Sequence, residues 1–130
     1  MTRILVVDDD NVTCRLLAEV LSQDGATVVG ETDARRALER ADESPIELAI
    51  LDVQMPQMDG LAATAAIRAL PQPERREVWI VALTANAFAE DIRRCLAAGM
   101  NDFVAKPVRP ADLEACLARL PASALATAAE

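Results

Sequence analysis

Leu48-Ala49-Ile50-Leu51-Asp52-Val53-Gln54-Met55-Pro56-Gln57-Met58-Asp59-Gly60 divides at Asp52. The residues before it are continuously apolar and of strand length. Continuous rather than alternating apolarity marks a strand buried on both faces, as in a parallel sheet. The residues after it carry Pro56 and close on Asp59-Gly60, the composition of a loop. Asp52 therefore stands at the carboxyl end of a buried strand. An ionised carboxylate there is costly unless it is paired, metal-bound or used, and open α/β sheets bind their ligands at that end. A single aspartate so placed also reads as a helix cap or a turn residue, so the other strand ends decide between the readings.

Before this stretch, Ile4-Leu5-Val6-Val7 is a second continuous apolar run, ended by Asp8-Asp9-Asp10. Asn11 is a candidate cap for a helix to about Asp24, with Val12, Leu16, Leu17, Val20 and Leu21 on its apolar stripe and Gly25 as its stop. Thr27-Val28-Val29-Gly30 predicts a shorter strand. A polar helix follows from Asp33 to about Glu43, stopped by Ser44-Pro45, and the third strand runs from Glu47 to Asp52. After the loop at 53–59 a helix is expected from Gly60 to about Leu70, mostly Ala on its outer face. Val78 to Leu83 is a fourth strand ending in Thr84. Asn86 is the candidate cap of a helix to Ala98, with Gly99 beyond it. Asp102 to Ala105 is a short fifth strand ending at Lys106-Pro107. Pro110 suits the first turn of a last helix, because its missing N–H has no intrahelical partner there. Leu113, Cys116, Leu117 and Leu120 face the core, and Pro121 stops the helix.

Five strands alternating with five helices predict an α/β fold with a parallel sheet covered on both faces. Right-handed crossovers leave few topologies, and the flavodoxin-like, doubly wound order 2-1-3-4-5 fits five units of this size. A chain of 130 residues holds one sizeable core and not two. Residues 1–121 are read as one domain and 122–130 as a short tail with no output domain.

Composition excludes several functions. The net charge of −8 disfavours nucleic acid, and Arg35-Arg36, Arg75-Arg76 and Arg93-Arg94 read as solvated positions. There is no histidine, which removes the commonest general base and rules out a phosphohistidine donor while leaving a recipient possible. Cys14, Cys95 and Cys116 are odd in number and lack metal-ligand spacing, so they read as reduced thiols. No apolar run has the length of a membrane span, and Met1-Thr2-Arg3 leads straight into the first strand. The expectation is a cytoplasmic protein without a signal peptide.

In the expected topology strand 1 delivers Asp8 and Asp9, strand 3 Asp52, strand 4 Thr84 and strand 5 Lys106 to one edge. Strands 1 and 3 are neighbours, so three carboxylates converge, and a hard cation relieves their repulsion. Mg²⁺ suits such a site because it takes few carboxylates and keeps waters and phosphate oxygens. With a lysine for an anion and a hydroxyl donor, the set describes phosphoryl transfer. Singly, Asp8-Asp9-Asp10-Asn11 also reads as a polar turn, Thr84 as a cap and Lys106 as a surface lysine.

Val6-Val7-Asp8-Asp9, the stretch from Asp52 to Gly60, Leu83-Thr84-Ala85 and Lys106-Pro107 occur in the order and spacing of one family. The chain resembles a receiver domain of two-component signalling, the response-regulator family, over residues 3 to 120. Ala82-Leu83-Thr84-Ala85-Asn86-Ala87 and Cys95-Leu96-Ala97-Ala98-Gly99-Met100 are similar in particular to receivers of hybrid sensor histidine kinases. The resemblance implies that Asp52 is the phosphoacceptor and takes a phosphoryl group from a sensor histidine kinase or a histidine phosphotransfer protein. It implies Mg²⁺ on Asp9, Asp52 and the main-chain carbonyl of Gln54, with Asp8 in support. Lys106 and Thr84 are then the phosphoryl-binding pair. Phe103 falls at the aromatic switch position, where plain core packing is the other reading. The Lys106–Pro107 bond is expected to be cis. The readout surface is expected on helix 4, strand 5 and helix 5, where a downstream target or, on phosphorylation, a second copy would dock.

Two rivals remain at this stage. Asp8-Asp9-Asp10-Asn11-Val12 also fits the first motif of haloacid-dehalogenase-type phosphatases, with Asp8 as nucleophile and Asp10 as acid–base. That reading leaves Asp52 and its loop unexplained, has no later acidic pair and no room for a cap domain. A degenerate, phosphate-independent receiver module is the other, and the intact set of Asp8, Asp9, Asp52, Thr84 and Lys106 argues against it.

Overall fold

The structure is a computed structural model and describes residues 3–22, 25–43, 46–53, 60–71, 77–85 and 89–120. Its elements are β1 Arg3–Val7, α1 Asn11–Ser22, β2 Thr27–Glu31, α2 Ala34–Glu43, β3 Leu48–Asp52, α3 Gly60–Arg68, β4 Trp79–Thr84, α4 Ala89–Ala97, β5 Asp102–Ala105 and α5 Pro110–Ala118. The five strands are all parallel, in the order β2-β1-β3-β4-β5. Gln54, Asn86 and the tail from Pro121 onward, all singled out above, lie outside the described residues.

Alternation along the strands divides the core in two. Leu5, Val7, Ala49, Leu51, Ile80 and Ala82 meet α2, α3 and Cys95 of α4 on one face. Ile4, Val6, Leu48, Ile50, Val81 and Leu83 meet α1 and α5 on the other. Every residue of β3 is buried, as its unbroken apolar run predicts, whereas β2 is a half-exposed edge strand.

The local readings need two corrections. Asp10, not Asn11, caps α1: its Oδ1 accepts from the Val12 N–H at 2.9 Å, and Asn11 is already helical. The α1 stripe is centred on Cys14, Leu17 and Leu21, which leaves Val12 72% and Leu16 45% exposed. The outer face of α3 is alanine as expected, with Ala62 and Ala65 exposed, while Ala63 is buried against the sheet. Gly99 adopts φ 109°, the left-handed conformation that ends α4 and that other residues adopt only with strain.

All three cysteines are free and buried. Burial, reinforced by the Asp102 carboxylate 3.8 Å from its sulfur, pushes the Cys116 thiol from an ordinary 9.0 up to about 11. The raised value means that the native state keeps this proton after the unfolded chain has lost it. The thiol therefore leaves stability untouched below pH 9 and subtracts from it, by at most about 3 kcal/mol, as pH climbs toward 11. Denaturant titrations at pH 8 and pH 10.5 are expected to show a smaller loss in Cys116→Ala than in the native chain. An equal loss in the two would refute this.

Candidate functional site

Strand register brings the polar residues together. Val7 pairs with Leu51, so Asp8 and Asp52, each one residue further on, leave adjacent strands at the same level. Asp52 pairs with Leu83 and Thr84 with Ala105, which places Thr84 and then Lys106 one step further along the same edge. The main chain continues past the strand ends: Val53 N–H donates to Leu83 O at 2.9 Å and Lys106 N–H to Thr84 O at 2.8 Å. These bonds hold the functional side chains on sheet backbone rather than on loops.

Asp8, Asp9 and Asp52 each offer a carboxylate oxygen within 4.8 Å of the others. Asp8 and Asp52 are buried and Asp9 is exposed, so the cluster is open to solvent on one side. Asp8 Oδ1 accepts from the Asp10 N–H at 2.9 Å. Its Oδ2 is buried, and the Lys106 ammonium lies 2.7 Å from it. The same ammonium is 3.2 Å from Asp52 Oδ2. Burial alone would push the Lys106 pKa down, but the hydrogen bond to Asp8 and the charge of Asp52 outweigh it and raise it. Lysine thus partly neutralises two buried carboxylates. Three oxygens of hard donors, one of them facing solvent, fit a small divalent ion that retains water.

Thr84 is buried at the edge. Phe103 pairs with Ala82 and packs, partly buried, against the α2–α3 side of the core. The Lys106–Pro107 peptide bond is cis. Beside the cluster lies a groove of about 420 Å³ lined by Asp10, Thr13, Leu16, Lys106, Pro107 and Val108.

Two contributors escape sequence reasoning. Gly60 opens α3 directly behind Asp52: a β-carbon there would overlap the Asp52 main-chain oxygen and sit 2.9 Å from its carbonyl carbon. The proximity joins residues on either side of a loop, and Asp59-Gly60 signals only a turn. Gly60→Ala is expected to lower stability by about 3 kcal/mol and to weaken Mg²⁺ binding, because the atoms that must yield belong to backbone. Calorimetric melting with and without Mg²⁺ checks both effects. The second contributor is Arg68, which donates to Val78 O, Gly99 O and Asn101 Oδ1. Its acceptors lie 10, 31 and 33 residues away along the chain, and no spacing announces them.

Fold and site together define a class: a doubly wound α/β domain with an acidic cluster and a lysine at the carboxyl edge of its sheet. The family model of the response regulator receiver domain matches residues 4–118. The chain belongs to that family and is a receiver domain of two-component signalling. It is 41% identical over 108 residues to the sensor protein GacS of Pseudomonas syringae pv. syringae, covering 82% of this chain and 12% of the relative. It is 36% identical over 120 residues to hybrid signal transduction histidine kinase B of Dictyostelium discoideum, covering 85% of this chain and 6% of the relative. The chain thus spans a small fraction of the hybrid kinases that it resembles. Among solved structures, chemotaxis protein CheY4 of Vibrio cholerae superposes with a TM-score of 0.86 at 29% identity, over 93% of this chain and 99% of that one. The receiver domain of a sensor histidine kinase from Pseudomonas aeruginosa, with a magnesium ion coordinated in its active site cleft, gives 0.79 at 38% identity, over 91% and 95%. No helix among the described residues is long and apolar enough to cross a membrane.

Proposed function

We propose that Asp52 is the phosphoacceptor of a phosphorelay and that its modification switches the surface formed by α4, β5 and α5. The observation that carries this reading is the burial of Asp8 and Asp52 against one shared lysine at the ligand-binding edge of the sheet. An Asp52 oxygen attacks the phosphorus of a phosphohistidine on a sensor kinase or a histidine phosphotransfer protein. The P–N bond breaks as the P–O bond forms, and the imidazole leaves with the bonding electron pair. Asp8, Asp9 and Asp52 would hold Mg²⁺, with the Gln54 carbonyl as a further ligand. The ion would supply the charge neutralisation that lets phosphoryl oxygens approach three carboxylates. Lys106 then turns from the carboxylates to the phosphoryl oxygens, Thr84 donates to one of them, and Phe103 follows Thr84. Transfer and later hydrolysis are both catalysed by this chain's own residues.

Exposed Val12 and Leu16 beside the groove suit a protein donor rather than a small molecule alone. The buried free thiols suit the cytoplasm. Residues 1–121 form the receiver unit, and its output is protein binding, whether to a target or to a second copy.

The test is covalent labelling with acetyl phosphate. With Mg²⁺, the intact mass is expected to rise by one phosphoryl group within minutes; with a chelator it is expected to stay unchanged. Because an acyl phosphate hydrolyses, beryllofluoride binding is measured in parallel. Absence of both adduct and beryllofluoride complex would defeat the reading and leave a phosphate-independent module.

A further inference from the structure

The edge of the sheet opposite the site is held by two arginines that the chemistry above does not use. Arg68, in the last turn of α3, donates from Nη1 to Val78 O at 2.6 Å and from Nη2 to Gly99 O and Asn101 Oδ1, each at 2.8 Å. Its Nε donates to Gly99 O at 3.1 Å. One planar fork thus joins α3 to the residue preceding β4 and to the turn between α4 and β5. Asn101 extends the joint, since its Oδ1 also accepts from the Ile80 N–H at 2.8 Å and its N–H donates to Ile80 O at 2.7 Å. From the other face of the sheet, Arg119 Nε donates to Asp102 Oδ2 at 2.7 Å and ties the end of α5 to the first residue of β5. Consecutive residues, Asn101 and Asp102, are therefore clamped from opposite faces.

Helix α4 is held most firmly near its carboxyl end. Cys95 is its only buried residue, near its carboxyl end, and the chain then turns through Gly99 to buried Met100 and the Arg68 joint. In its amino half Ala89, Glu90 and Arg93 are exposed and Asp91 and Ile92 are partly buried, and that half follows Thr84 in the chain. At the other end of the joint, α3 begins at Gly60, against the Asp52 carbonyl. A helix fixed at its carboxyl end and lightly held at its amino end moves by swinging, not by sliding.

We propose that Arg68 is the hinge pin of this receiver: it fixes the carboxyl end of α4 and the amino ends of β4 and β5 to α3, so that a change at Asp52 and Thr84 swings α4 by its amino end. The inference rests on the phosphoacceptor reading and adds a positioning residue that touches neither metal nor phosphoryl group. Its geometry demands arginine. A planar fork reaches acceptors on separate segments at once, whereas a lysine ammonium keeps the charge and loses the fork. The acceptors that Arg68 meets at Val78, Gly99 and Asn101 are all uncharged.

The experiment is amide hydrogen exchange on the full chain with Mg²⁺, with and without beryllofluoride, for native protein, Arg68→Lys and Asn101→Ala. Fluorine NMR follows beryllofluoride binding in the same samples. In native protein the ligand is expected to change exchange at residues 89–94 by about fivefold or more and at 95–101 by less than about twofold. In Arg68→Lys, beryllofluoride still binds, residues 95–101 exchange about tenfold faster even without it, and the ligand-induced change spreads over the whole helix. Asn101→Ala, which keeps the arginine and removes one acceptor, gives an intermediate pattern. A ligand response in Arg68→Lys that matches the native one, with only a lower melting temperature, would make Arg68 a stabiliser and overturn the hinge. An equal response in the two halves of native α4 would overturn it as well. No beryllofluoride complex in native protein would instead defeat the phosphoacceptor reading, and the hinge as a device for it.

Discussion

Asp52→Asn is expected to abolish the acetyl phosphate adduct, a loss of at least about a thousandfold, while Asp10→Asn keeps it within about twofold. The first expectation follows from chemistry: an amide lacks the charged oxygen that attacks phosphorus. The second follows from what Asp10 does. Its carboxylate caps α1, with Oδ1 accepting from Val12 N–H and Oδ2 from the Thr13 hydroxyl at 3.3 Å. Asparagine caps a helix about as well as aspartate, so little is lost. The pair of variants separates the receiver chemistry from a phosphatase in which Asp8 attacks and Asp10 moves the proton. In such a phosphatase Asp10→Asn would be the damaging change and Asp52→Asn a mild one. The structure already disfavours that division of labour, because both oxygens of the Asp10 carboxylate, which would move the proton, are held at the start of α1. Intact mass spectrometry of the variants after equal exposure to acetyl phosphate and Mg²⁺ decides it, and an adduct surviving in Asp52→Asn would move the acceptor elsewhere.

The placement of Asp8 beside Asp52 was legible in the sequence because it needed little: two unbroken apolar runs, each ending in aspartate, and a topology that makes strands 1 and 3 neighbours. Thr84 and Lys106 followed by the same reasoning, since a strand end is a place that periodicity can locate. Other features depended on quantities that periodicity does not carry. The apolar stripe of α1 was visible, but its centre was not. Cys14 faces the sheet and Val12 faces solvent because the cap falls on Asp10, one residue earlier than Asn11. Both residues cap well, and only the completed turn chooses between them. Ala63 is buried because α3 packs closely on the sheet, and a helix that is mostly alanine does not show which side lies inward. Arg68 was hidden for another reason. Two of its acceptors are main-chain carbonyls, which every residue possesses, so nothing in the identities of Val78 or Gly99 marks them as partners.

Lys106→Met is expected to have opposite effects on metal binding and on phosphoryl transfer, and the opposition tests the site more sharply than either effect alone. Lys106 neutralises two buried carboxylates, 2.7 Å and 3.2 Å from its ammonium. Removing one member of a buried ionic cluster leaves uncompensated charge and typically costs about 3–5 kcal/mol. In chelator, the variant is therefore expected to melt more than about 10 °C below the native chain. Mg²⁺ then has more to offer the variant than the native protein. In the native chain the ion shares carboxylates with an ammonium that already occupies them, whereas in the variant it meets bare carboxylates and relieves their repulsion. Saturating Mg²⁺ is expected to raise the melting temperature of Lys106→Met by several degrees more than that of the native chain. Adduct formation moves the other way, down by about a hundredfold, because the cation that would steady the phosphoryl oxygens during transfer is gone. A lysine with a purely structural role predicts loss of stability and a parallel loss in both functions. Equal Mg²⁺ stabilisation of the two proteins would show that Lys106 does not offset the charge that the metal relieves, and unimpaired labelling would remove it from the transfer step.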